Sequence, residues 1–108
     1  MISVCIATHN GEKYIKKQLE SILSQLSFSD EIVISDDGST DQTIKLIQSF
    51  EDKRIKVLTY KQHFDYSKFY LSSYYYATAN FYNALKYAQG EIIFLADQDD
   101  IWVENRVS

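Results

Sequence analysis

Glu31-Ile32-Val33-Ile34-Ser35-Asp36-Asp37-Gly38-Ser39-Thr40-Asp41-Gln42 decides how the rest of the chain is read. The apolar run Glu31 to Ser35 has the length of a buried strand, and it stops at two aspartates and a glycine. Ser39 and Gln42 stand three apart, the spacing of a capping box, so a helix is expected next, burying Ile44, Ile47 and Phe50. The same grammar holds on either side. Upstream, Ile2 to Thr8 reads as a strand and ends at His9-Asn10-Gly11. Ile15, Leu19, Ile22, Leu23 and Leu26 then recur on one helical face, with Asn10 as N-cap and Glu12 near the positive end of the helix dipole. Downstream, Arg54 to Thr59 is a third strand. Ala77, Phe81, Leu85 and Ala88 mark another helix, with Gly90 expected as its C′ residue. The strand Glu91 to Ala96 stops at Asp97-Gln98-Asp99-Asp100, and Ile101 to Ser108 opens a further helix. The tyrosine-rich stretch from Tyr60 to Tyr76 has no period that assigns it.

Strands alternating with helices predict an α/β fold: a Rossmann-like, mostly parallel sheet with helices on both faces. Ligands of such sheets bind beyond the carboxyl ends of the strands. Three polar clusters fall at those ends: Thr8 to Gly11, Asp36 to Ser39, and Asp97 to Asp100. A histidine, several carboxylates and a helix start therefore converge on one edge of one sheet.

Composition narrows the chemistry. The chain has 108 residues, 45% of them hydrophobic, which suffices for one small core and one domain. Eleven Lys and Arg against fifteen Asp and Glu leave a net charge of −4, and no basic run is present, so nucleic acid is not an expected partner. The one cysteine, Cys5, excludes a disulfide framework and a multi-cysteine zinc site, and its mid-strand position makes it a core residue. The start carries no basic segment of a signal peptide, and no apolar stretch reaches bilayer-spanning length. A cytoplasmic protein is expected.

Each cluster has a plain and a chemical reading. Asp97 and Asp99, one residue apart in a turn after a buried strand, can both face one hard cation. Magnesium or manganese would take carboxylate oxygens there and complete its shell with diphosphate oxygens. Acidic residues also end strands and cap helices with no such role. In Asp36-Asp37-Gly38, the glycine permits a positive φ and the close approach of a ligand. An aspartate at that strand end can accept from a pyrimidine imide N–H or a ribose hydroxyl, or the segment is a capped turn with solvated acids. His9 could ligate, act as a base, stack on a nucleobase, or sit in a polar loop.

Together, Ile2 to Gly11, Ile34 to Asp41 and Phe94-Leu95-Ala96-Asp97-Gln98-Asp99-Asp100-Ile101-Trp102 resemble the family-two inverting glycosyltransferases of GT-A fold, nearest to bacterial members that build surface polysaccharides. The resemblance runs through nearly the whole chain and carries its roles residue by residue. Ala7, Thr8, His9 and Asn10 would line the nucleoside pocket, with His9 where relatives stack a Tyr or Phe on the base. Asp37, beside Gly38, would hydrogen-bond uracil or thymine. Asp97 and Asp99 would hold Mn or Mg on the diphosphate, and Asp97 and Gln98 would lie near the ribose or the sugar. The implied reaction is a single displacement of UDP or dTDP from the donor sugar by a hydroxyl of a saccharide or lipid-linked saccharide acceptor, with inversion. Such an acceptor would bring the enzyme to the inner face of the membrane.

The family's base and acceptor half follow the region matched here. Residues 1–108 are therefore expected to be an incomplete nucleotide-sugar-binding domain, with no catalytic base assigned. Uncovered sheet and helix faces would leave it open to self-association. Two alternatives stand beside this reading. One is a nucleotide-binding fragment without turnover. The other is a receiver-like phosphoryl-transfer domain, against which the first strand's ending, Ala7-Thr8-His9-Asn10, lacks the required acidic pair.

Overall fold

Nearly every residue of the first two strands is buried, so each strand is covered from both sides. The computed structural model describes residues 1–59 and 72–97, with side chains described outside 72–79 and 97. Its elements run β1 (Ile2–Thr8), α1 (Ile15–Leu23), β2 (Glu31–Asp36), α2 (Thr43–Gln48), β3 (Ile55–Thr59), α3 (Ser72–Tyr87) and β4 (Ile92–Asp97). The strands form one parallel sheet in the order β3-β2-β1-β4. After β3 the chain returns past β2 and β1 to place β4 on the far side of β1. The order therefore reverses at β1, which sets a crevice at its carboxyl end.

Val4 and Ile6 of β1 and Ile32 and Ile34 of β2 point to one face, where Ile15, Leu19, Ile22 and Leu26 around α1 and Ile47 of α2 complete an aliphatic core. Cys5 and Val33 point to the other face and meet Ala84 of α3, with Leu58, Leu85 and Ala88 at the margin. Cys5 is fully buried, and burial followed by the nearby Glu31 charge pushes its thiol up to about 11, so it is an inert core residue. Among the described residues, this second face is bracketed by polar networks at both ends. The Rossmann-like sheet with helices on both faces is thus observed.

Local details depart from the sequence expectations. Asn10 does not cap α1: its backbone is left-handed (φ 51), the cap position is Tyr14, and the Gly11 carbonyl takes the first helical N–H groups. Asparagine tolerates this conformation, which frees its side chain for another loop. Ser39 does not cap α2, which starts at Thr43 with Gln42 in the cap position. Its hydroxyl is drawn instead to the buried Asp36. Glu12 lies outside α1 and accepts the N–H of Gln42, serving the start of α2. Leu46, rather than Ile44, joins Ile47 and Phe50 against the core.

Gly90 is not a left-handed C′ residue. A Cβ there would lie 2.6 Å from Ser3 Oγ and 2.7 Å from Ser3 N, so its role is to let the turn before β4 close onto β1. The helix α3 starts earlier than Ala77 and takes in the backbone of Tyr74 to Tyr76; the rest of the tyrosine-rich stretch and the helix expected from Ile101 lie outside the described residues.

Candidate nucleotide site at the carboxyl edge

The site begins with register. Thr8 pairs with Asp36, and Ala7 pairs with Asp97 on its other side, so three strands end side by side. Asp36 is 1% exposed and must be satisfied internally. Its Oδ1 accepts from Thr8 Oγ1 (2.6 Å) and from Ser39 Oγ (2.6 Å), and its Oδ2 accepts from Ser39 N (2.9 Å). This carboxylate is the post around which the second loop turns, and Gly38 next to it has φ 58.

The loops after β1 and β2 are stitched together. Asp37 N donates to the Thr8 carbonyl (2.9 Å). His9 Nδ1 lies 2.6 Å from the Asp37 carbonyl, which can only accept, so Nδ1 carries a proton and donates it there. Asn10 N donates to Ser39 Oγ (2.8 Å) while Asn10 Oδ1 takes Thr40 N (2.9 Å). Further out, Gly11 N donates to Thr43 Oγ1 (2.8 Å), and Thr43 gives its own proton to Asp41. Glu12 and Asp41 exchange places, each accepting a backbone N–H from the other's loop: Glu12 N to Asp41, and Gln42 N to Glu12. Desolvation pushes the Asp41 carboxyl up, but the hydroxyl and N–H of Thr43 and the N–H of Glu12 outweigh it and hold Asp41 below its ordinary value. Two loops about thirty residues apart in sequence thus behave as one preorganised wall.

Of the expected site residues, Ala7, Thr8, His9, Asn10, Asp37 and Gly38 meet on this edge. Asp97 ends β4 beside Ala7; Gln98 and Asp99 lie outside the described residues. Among the described residues no three His, Cys, Asp or Glu side chains gather to hold a metal ion. Sequence reasoning passed over Asp36 and Asn80. Asp36 was legible only as one of two neighbouring acids. Asn80, on α3, reaches the Thr8 carbonyl from a helix far along the chain, a contact no local pattern announces.

The Glycosyl transferase family 2 profile matches residues 3–108. The chain is 34% identical over 108 residues to the Escherichia coli UDP-Glc:alpha-D-GlcNAc-diphosphoundecaprenol beta-1,3-glucosyltransferase WfgD, covering 99% of this chain and 38% of that protein. It is 34% identical over 108 residues to the Shigella flexneri dTDP-rhamnosyl transferase RfbG, covering 94% of this chain and 34% of the relative. The crystal structure of S. aureus TarS 1-349 in complex with UDP-GlcNAc superposes with a TM-score of 0.70 at 29% identity, over 91% of this chain and 26% of that one. The chain thus spans well under half the length of these proteins. No described helix is long and apolar enough to cross a membrane.

Proposed function

Because the chain belongs to glycosyl transferase family 2 and has its GT-A fold, we propose that it is the donor-binding part of an enzyme that moves a sugar from a nucleoside diphosphate onto a hydroxyl with inversion. The observation that carries this reading is the single wall formed by the β1 and β2 loops at the point where strand order reverses, with β4 ending next to it. His9 presents a flat ring at the exit of β1, and Asp37 an acceptor for the imide of uracil or thymine. Such a pair selects UDP or dTDP over purine nucleotides by hydrogen-bond pattern. Relatives named for UDP-glucose and dTDP-rhamnose transfer support that donor class, and a diphospholipid-linked sugar acceptor is the matching proposal for the second substrate, in polysaccharide synthesis.

An edge that carries Asp36, Asp37 and Asp41 repels a diphosphate unless its charge is offset. The donor set of Asp97 and Asp99, hard carboxylate oxygens, fits manganese or magnesium. When bound, the cation neutralises charge on the departing diphosphate. The residues of this chain hold and orient the nucleotide; no residue from 1 to 108 is assigned as the base.

Calorimetric titration of UDP, dTDP and GDP with and without manganese tests the reading. Metal-dependent binding of UDP or dTDP, lost in Asp99→Ala, is expected. Binding by that variant equal to wild type overturns the metal role. The chain alone is expected to transfer no sugar, and measured turnover would show that a base lies within it.

A further inference from the structure

We propose that Asn80 is a positioning residue for the nucleotide-binding loops, acting through the Thr8 carbonyl; this rests on the donor-binding reading above. The side chain is 3% exposed and comes from α3, on the face of the sheet opposite α1 and α2. The directions of its hydrogen bonds are forced. The Thr8 carbonyl can only accept, so the group 3.2 Å from it is Asn80 Nδ2. Oδ1 must then face Ser35, whose hydroxyl donates to it at 2.6 Å. With its proton spent, Ser35 Oγ accepts from Asn83 Nδ2 at 2.8 Å. Asn83 to Ser35 to Asn80 to Thr8 is one buried, one-way relay, in which each bond polarises the next.

Its terminus matters for the site. The Thr8 carbonyl already receives Asp37 N (2.9 Å), so Asn80 fills its second lone pair. That carbonyl belongs to the peptide that leads into His9, and its plane sets where the His9 backbone starts. One buried amide therefore holds both the origin of the His9 loop and the acceptor to which Asp37 is tied. Asn83 is buried too, but in this relay it bonds Ser35 and, among the described residues, is linked to the loops through Asn80.

The test compares variants of the full chain by UDP titration with manganese, thermal melting and the amide NMR signal of Asp37. Asn80→Ala is expected to weaken UDP about tenfold, as loss of a buried hydrogen bond to the loop would. It should also shift the Asp37 amide resonance. Asn83→Ala should lower the melting temperature but leave UDP affinity within about twofold and the Asp37 signal in place. Should Asn80→Ala not fold, Ser35→Ala, which releases the Oδ1 end of Asn80, is expected to weaken UDP more than Asn83→Ala does. Equal UDP affinity in the Asn80 variant and wild type overturns the proposal. So do losses of affinity that merely track the melting temperature across all variants. A wild-type chain that binds no nucleotide overturns the donor-binding reading first, and the inference with it.

Discussion

The two ends of the sheet carry buried acids of opposite design. At the amino end, Glu31 accepts from Ser3 Oγ (2.5 Å), Gln89 N (2.7 Å) and Lys56 Nζ (2.7 Å), while Asp30 ties the start of β1 to the turn before β2. Both ion pairs found among the described residues, Lys56–Glu31 and Arg54–Asp52, belong to this end. At the carboxyl end, Asp36 is satisfied by hydroxyl and N–H groups, and the loops lean on one another. The first arrangement neutralises its carboxylate with a lysine; the second uses its carboxylate to order hydroxyl and backbone N–H groups. The lesson is that burial alone does not tell the two carboxylates apart; their donors do, a lysine among them at Glu31, hydroxyl and N–H groups at Asp36.

This contrast can be broken by crossing stability against binding. The largest effect is expected from Glu31→Ala, which strands Lys56, Ser3 and the Gln89 N–H and should cost about 3 kcal/mol in urea unfolding, with nucleotide affinity unchanged. A parallel loss of affinity would erase the distinction between the ends. Burial raises the Glu31 carboxyl, but its bonds to Gln89, Lys56 and Ser3 outweigh this and hold it below the usual 4.5. A depressed folded pKa means stability that is present above the unfolded value and lost as pH falls through the folded one. Wild type should therefore weaken below pH 4.5, and Glu31→Ala should show a shallower acid slope.

Gly90→Ala comes next. Its Cβ would meet Ser3 N at 2.7 Å and Met1 O at 2.9 Å, backbone atoms that cannot swing aside. A loss of about 2 kcal/mol by thermal unfolding is expected, again without change in binding. The smallest effect on folding belongs to the other end. Asp37→Ala should weaken UDP about tenfold while changing stability by under ~1 kcal/mol. An Asp37 variant that unfolds the protein yet, where folded, binds normally would reverse the assignment.

Much was legible because hydrophobic period is local. Ile15, Leu19, Ile22 and Leu26 announced their buried face, and all four are buried. The polar clusters at Thr8 and Asp36 landed on neighbouring strand ends because parallel topology follows from the alternation of elements. What failed was cap chemistry. Asn10 and Ser39 had the right types at the right spacing, yet Asn10 found its partner across the gap between loops and Ser39 gave its hydroxyl proton back to the buried Asp36. Gly90 had the right place for a helix end but answers to steric contact with β1.

By itself the amino-acid order determined which segments become strands and helices and that their polar tips share an edge, since near neighbours dictate burial period and turn propensity. Only the folded chain decided the order β3-β2-β1-β4 and the partners of Asn10, Glu12 and Asn80. Those partners across the fold lie 29 to 72 residues away, and a side chain's choice among distant donors is settled by packing, to which local pattern is blind.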